Sequence, residues 1–246
     1  MGKVDRVGPN VTKFKPGDRV VASFQIACGK CEYCQKKLSS FCDRTNNSSC
    51  VFLKAVPAYT EDAYYRLQNA MYGHRDAGFF GYSHFTGGFP GGQAEFVRVP
   101  FGEVNLLPIP DTVSDEQALY LSDVLPTSFH TVYDTGVREG DTVAIWVSVE
   151  RLISRRFLHR YWRHHMIASR WYHPIQGLGP IGQCAARWAK LMGASRVIGI
   201  DKVPERLNFA QAKSEVEVID FNEYKDVVKR LQVLVPGGID VALDCG

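Results

Sequence analysis

At 246 residues the chain is long enough for one large domain or two modest ones, and no apolar run approaches the ~18 residues of a membrane span. The net charge of +3 comes from one segment: residues 147–176 hold six Arg, no Lys and one Glu, so their +5 leaves −2 on the rest of the chain. Outside that segment there is no basic signature and no case for nucleic acid.

The first residues, MGKVDRVGPN, lack a signal-peptide apolar core, and Arg6 spoils a myristoylation pattern. The expected location is therefore cytoplasmic, where seven cysteines point to metal or catalysis before disulfides. VGPNVTKFKPGDRVVASF (Val7–Phe24) alternates β-prone runs with turns, and Pro16-Gly17-Asp18 is a turn signal that leads into a strand, RVVASF. This is the pattern of a small β-barrel. It begins abruptly, in what reads as mid-strand sequence, as expected of a piece of a longer ancestor.

Cys28-x2-Cys31-x2-Cys34-x7-Cys42 follows. Four thiolates at these spacings can close a tetrahedral zinc site. Such a site leaves no position for water or substrate, so its role is structural. Cys50 lies outside the spacing, and Cys184 and Cys245 read as core cysteines. Residues 47–70 have mixed periodicity and admit a short surface helix or a foreign insertion over Val51–Gln68.

Tyr72–Pro100 is rich in glycine and aromatic residues and ends in AEFVRVP (Ala94–Pro100), whose alternation predicts a strand. His74 and His84 are potential ligands, although a solvated or core histidine is the commoner role. Asn105–Pro110 is a short extended stretch. Ser114–Leu121 has helical character, with Ser114 and Gln117 spaced for a capping box. Asp123 sits in an apolar stretch, LSDVLPTSFH, where a carboxylate needs a cation or hydrogen-bond donors. Metal ligand, helix cap and surface ion pair all fit it.

The remainder alternates regularly: strand TVAIW (Thr142–Trp146), helix Ile181–Met192, strand Ser195–Asp201, helix Pro204–Lys213, strand VEVIDF, helix EYKDVVKRLQVLV and strand IDVALDC. This predicts a parallel doubly wound sheet. Between TVAIW and GLGPIG (Gly177–Gly182) lie thirty residues, Val147–Gln176, foreign in composition. Removing them gives a strand–GxGxxG–helix. Gly177 would permit the tight turn, Gly179 the approach of a pyrophosphate and Gly182 close helix–strand packing, with the phosphates on the helix N-terminus. Asp201, 19 residues beyond Gly182, is placed to accept from the adenosine ribose hydroxyls and to repel a 2′-phosphate, which favours NAD over NADP.

Taken together, GDRVV, the four-cysteine lobe and the glycine fingerprint resemble the zinc-dependent medium-chain alcohol dehydrogenases. GYSHFTGGFPGGQAEFVRVP and LSDVLPTSFH are closest to the glutathione-independent formaldehyde dehydrogenase group. The resemblance implies an α/β fold: a partial GroES-like β-barrel with the zinc lobe over 1–125 and a partial Rossmann domain over 126–246. It implies hydride transfer from a small alcohol or hydrated aldehyde to NAD, with a catalytic zinc as Lewis acid. By resemblance Asp123 is a ligand of that zinc and Thr127 lies beside the nicotinamide. The family's other ligands come from a Cys motif and a Gly-His-Glu motif upstream of VGPNVTKFKPGDRVV, and neither is present in this sequence. One protein ligand cannot hold a catalytic zinc, so the expectation is a fragment with its structural zinc site intact and catalysis impaired. Family members associate through later strands of the sheet, which leaves homo-oligomerisation undecided.

Two readings of Val147–Gln176 follow. It begins Val-Ser and ends Ile-Gln, compatible with splice donor and acceptor codons, and thirty residues preserve the frame, as expected of a retained intron. It also holds four of seven histidines and two of four tryptophans. Alternatively ERLISRRFLHRYWRHH is a basic aromatic module that touches nucleic acid or an anionic membrane, or binds metal through its histidines. Closing a 30-residue loop costs only roughly 3 kcal/mol, so the fold can tolerate it. Its position at the pyrophosphate site predicts weak or absent NAD binding.

Overall fold

The computed structural model describes residues 1–46, 76–83, 86–146, 177–224 and 226–245. The expectations for Cys50, His74, His84, Val51–Gln68 and Val147–Gln176 therefore lie outside the described residues. The chain divides into two compact units, Met1–Asp123 and Val124–Gly246. Among the described residues no helix is long and apolar enough to cross a membrane.

The first unit contains β1 (Gly2–Lys3), β2 (Arg19–Ala22), β3 (Gln25–Ile26), α1 (Glu32–Gln35) and a 3-10 turn, Ser39–Phe41. After them come β4 (Gly78–Phe79), α2 (Gly102–Asn105), β5 (Leu106–Pro108), α3 (Asp115–Leu119) and a second 3-10 turn, Tyr120–Ser122. Antiparallel pairing orders three strands β1-β2-β5, and β3 pairs with β4. The Pro16-Gly17-Asp18 signal makes its turn, with Asp18 N–H donating to Lys15 C=O at 3.2 Å. Val21, Ile109 and Ala118 form a small core under β2. Arg19 closes its rim, donating to Asp115 Oδ1 and to Val113 C=O. The capping box is complete: Gln117 N–H donates to Ser114 Oγ at 3.3 Å and Ser114 N–H to Gln117 Oε1 at 3.1 Å.

One strand expectation fails. Ala94–Pro100 is not a strand: its residues are largely exposed, Phe96 at 73%, and among the described residues none pairs with them. Alternation marks a segment able to lie on a sheet face, but a strand exists only where a neighbour completes its ladder.

The second unit follows the expected alternation closely. Its elements are α4 (Val124–Asp134), β6 (Thr142–Trp146), α5 (Pro180–Leu191), β7 (Arg196–Asp201), α6 (Pro204–Ser214), β8 (Glu217–Asp220), α7 (Val227–Leu234) and β9 (Val241–Asp244). Among the described residues all its pairings are parallel, in the order β8-β7-β6-β9. Strand order reverses at β6, so the crevice beyond its carboxyl end is where an open α/β sheet accepts a ligand. Both sheet faces are covered. Val143, Ile145, Val197 and Leu243 pack with Ala185, Ala186, Ala189, Leu207 and Ala210 on one side. Ile198, Ile200 and Ile219 pack with Val227, Leu231 and Val235 on the other. The three alanines let α5 pack close to the sheet, and its N-terminus follows the glycine turn beyond the carboxyl end of β6. Cys184 and Cys245 are half-buried, and Cys245 packs against the first of these cores.

Candidate functional site: a cysteine lobe and a glycine turn

The cysteine lobe is built from local chain. Cys28 follows β3, Cys31 caps α1, Cys34 lies within α1, and Cys42 follows the Ser39–Phe41 turn. Their sulfur atoms all lie within 4.8 Å of one another, with Cys28–Cys34 at 4.0 Å and Cys31–Cys42 at 3.9 Å. Zn–S bonds of about 2.3 Å place the sulfurs of a tetrahedral site about 3.8 Å apart, so the four residues fit the ion. Backbone donors face the sulfurs: Lys30 and Cys31 N–H donate to Cys28 Sγ, and Cys28 N–H donates to Cys42 Sγ.

The thiols compete for ionisation. Burial pushes Cys34 up to about 12, aided by Cys31 and by the charge of Cys42. Burial raises Cys31 as well. At Cys42 burial is opposed and outweighed by the Thr45 hydroxyl and the N–H groups of Arg44 and Cys28, which bring the thiol down to about 7. Four thiolates at these distances need a compensating cation, and a coordinating metal deprotonates its thiols outright.

The glycine turn is assembled from distant chain. A Cβ on Gly177 would stand 2.8 Å from Trp146 Cα and 2.4 Å from Ile200 C=O. One on Gly182 would stand 1.8 Å from Gly177 C=O. Both positions therefore need glycine for close approach. Trp146 and Gly177, separated by thirty residues in sequence, have their backbones in direct contact, and the strand–turn–helix is formed. Pro180 begins α5, and the first N–H groups beyond it, those of Ile181 and Gly182, have no acceptor one turn earlier within the helix. With the helix dipole they make an anion-binding end.

Asp201 ends β7 and is fully buried. Its Oδ2 accepts from Leu178 N–H at 2.9 Å, and its Oδ1 accepts from Lys202 and Val203 N–H at 2.7 and 2.9 Å. Arg206 Nη1 is 3.9 Å from Oδ2. The carboxylate placed by sequence as a ribose acceptor thus also organises the turn, a part the spacing did not reveal. Gln183 escaped notice too. It donates to Leu178 C=O and to Arg206 C=O, and only its place directly after Gly182 could have drawn attention to it.

Asp123 is exposed at the junction between the Tyr120–Ser122 turn and α4, and Thr127 is exposed on α4. Among the described residues the only group of three or more metal-ligating side chains is the four cysteines. The residues in hand therefore do not fit a catalytic zinc at Asp123, and no step is derived through one.

Comparison with known proteins agrees with this architecture. The family model described as "Alcohol dehydrogenase GroES-like domain" matches residues 1–111, and that described as "Zinc-binding dehydrogenase" matches residues 180–246. The chain is similar to a zinc-type alcohol dehydrogenase-like protein of Schizosaccharomyces pombe, at 38% identity over 99% of this chain and 46% of that protein. It is similar to a glutathione-independent formaldehyde dehydrogenase of Bacillus subtilis, at 31% identity over 99% of this chain and 47% of that protein. Among solved structures it resembles the alcohol dehydrogenase TADH from Thermus sp. ATN1, with a TM-score of 0.67, 28% identity, and coverage of 98% of this chain and 51% of that one. The chain spans about half the length of the curated relatives it matches. It belongs to the zinc-dependent medium-chain alcohol dehydrogenase family.

Proposed function

We propose that this chain carries the structural zinc and the dinucleotide turn of an oxidoreductase that transfers hydride from a small alcohol or hydrated aldehyde to NAD, and that by itself it is catalytically impaired. The observation that carries the reading is the formed Gly177–Gly182 turn at the point where strand order reverses, with the α5 N-terminus above it and Asp201 beneath it. Cys28, Cys31, Cys34 and Cys42 hold the structural zinc, which cross-links the lobe and supplies no chemistry to substrate.

In this reading Gly177, Gly179 and Gly182 let the backbone approach the pyrophosphate. Asp201 stands at the end of β7, where the ribose acceptor is expected, and its charge disfavours a 2′-phosphate, while Thr127 flanks the nicotinamide. NAD, when bound, supplies the hydride acceptor. The aldehyde-type substrate is supported by the name of the Bacillus subtilis relative. Impairment is supported by Asp123, the residual catalytic-zinc ligand of the resemblance, standing outside any three-ligand group among the described residues.

The thirty residues 147–176 belong to the same proposal as a foreign insertion of retained-intron type. Two observations support it: Trp146 and Gly177 touch directly, and neither family model reaches into 112–179. The insertion enters and leaves beside the phosphate turn and weakens cofactor binding there. NADH fluorescence titration tests this. The full chain is expected to show weak or no saturation, and deletion of 147–176 to tighten binding. Micromolar saturation by the full chain, unchanged by the deletion, would overturn it.

A further inference from the structure

The polar groups of Leu178 and Gly179, at the centre of the glycine turn, are held from two sides. Asp201 takes Leu178 N–H, and Gln183 takes the carbonyls. Gln183 Nε2 donates to Leu178 C=O at 3.1 Å and to Arg206 C=O at 2.9 Å, and Gln183 N–H donates to Gly179 C=O at 2.9 Å. Two carbonyls facing one amide fix its orientation, because a reversed amide would set oxygen against oxygen. The consequence is that Gln183 Oε1 is buried with no hydrogen-bond partner among the described residues. A buried acceptor without a partner costs stability, so packing alone does not account for glutamine at this position.

We propose that Gln183 is a positioning residue for the dinucleotide phosphates: it binds the Leu178 carbonyl to the protein side and to α6, so that the turn presents N–H groups, and not carbonyl dipoles, to the anion. This rests on the dinucleotide reading above. It adds a residue that acts through the turn and does not touch the cofactor.

The test uses the full chain with Gln183→Met, which keeps length and removes the amide, and Gln183→Glu. Hydrogen exchange by mass spectrometry over 177–183, without cofactor, is expected to be faster in both at neutral pH. Calorimetric titration with NAD+, with residues 147–176 deleted from every form so that binding is tightened, is expected to give an affinity about tenfold weaker for Gln183→Met, the scale of one lost hydrogen bond. In Gln183→Glu a carboxylate would face two carbonyls and can donate only when protonated. Its affinity deficit is therefore expected to shrink from pH 8 to pH 6, while that of Gln183→Met stays constant. The charged groups around the position, Asp201 and Arg206, are common to both variants, so Gln183→Met corrects for their titration. A role limited to filling space would give both variants the same pH profile. Unchanged exchange and unchanged NAD+ affinity in Gln183→Met overturn the proposal. If both variants exchange faster but the form with Gln183 in place and residues 147–176 deleted gives no NAD+ heat at millimolar concentration, the clamp stands and the dinucleotide reading falls.

Discussion

The cysteine lobe and the glycine turn solve opposite problems. The lobe gathers four side chains from fifteen consecutive residues, Cys28 to Cys42, into a cluster whose thiols resist joint ionisation, so its order depends on an ion from outside. The turn gathers backbone from β6, β7, α5 and α6, and the protein supplies every group that fixes it. The difference teaches that one site is written in local spacing and completed by metal, while the other is completed by packing between residues separated by thirty others in sequence.

The largest expected effect breaks the first region alone. Zinc removal by a strong chelator, or Cys42→Ser, should unfold the lobe, since structural zinc contributes apparent free energies of roughly 10 kcal/mol or more at neutral pH. Exchange protection should vanish over 26–46 while β6 and β7 keep theirs. Loss of protection in both regions would show that the two are not independent. Gly182→Ala attacks the second region. Its Cβ would stand 1.8 Å from Gly177 C=O, so the turn must move, at about 3 kcal/mol or more. Denaturant melts should show this loss, with zinc content unaffected.

Asn105→Ala sharpens the contrast, because it removes a self-organised brace from the zinc-bearing unit. Asn105 is buried and spans Ala27 through both its N–H and its C=O, and also donates to Pro100 C=O. Orphaning the Ala27 groups should cost about 2 kcal/mol and leave the metal bound.

Glu103→Gln is the smallest. The N–H groups of Thr12 and Lys13 hold the Glu103 carboxyl below its ordinary range, against a smaller opposing effect of burial. A depressed folded-state pKa stabilises above the unfolded value and is lost as pH falls through the folded one. The melting temperature of the parent chain should therefore fall on the acid side, below about pH 4.3, more steeply than that of Glu103→Gln. Parallel acid limbs would contradict the assignment.

The sheet was legible because each of its elements declared itself. Buried strands such as Val143–Ile145, Pro204 at a helix start and glycines at the turn carry local signals that agree with the tertiary outcome. The cysteines were legible because ligand spacing is a local property. Ala94–Pro100 was misjudged because strand formation depends on a partner that alternation cannot supply. Asp201 was placed correctly at the end of β7, but three of its acceptor positions serve N–H groups of the chain, a three-dimensional fact absent from sequence order. Gln183 carries no motif of its own. Its meaning comes from α6 standing beside α5.

The measurement that tests the account most directly is the zinc content of the purified chain after exhaustive dialysis, by inductively coupled plasma mass spectrometry. The account predicts about one zinc per chain, lost together with the order of residues 26–46 on chelation. About two per chain, with the second abolished by Asp123→Ala, would contradict it, because Asp123 would then belong to a catalytic metal site and the chain would not be impaired.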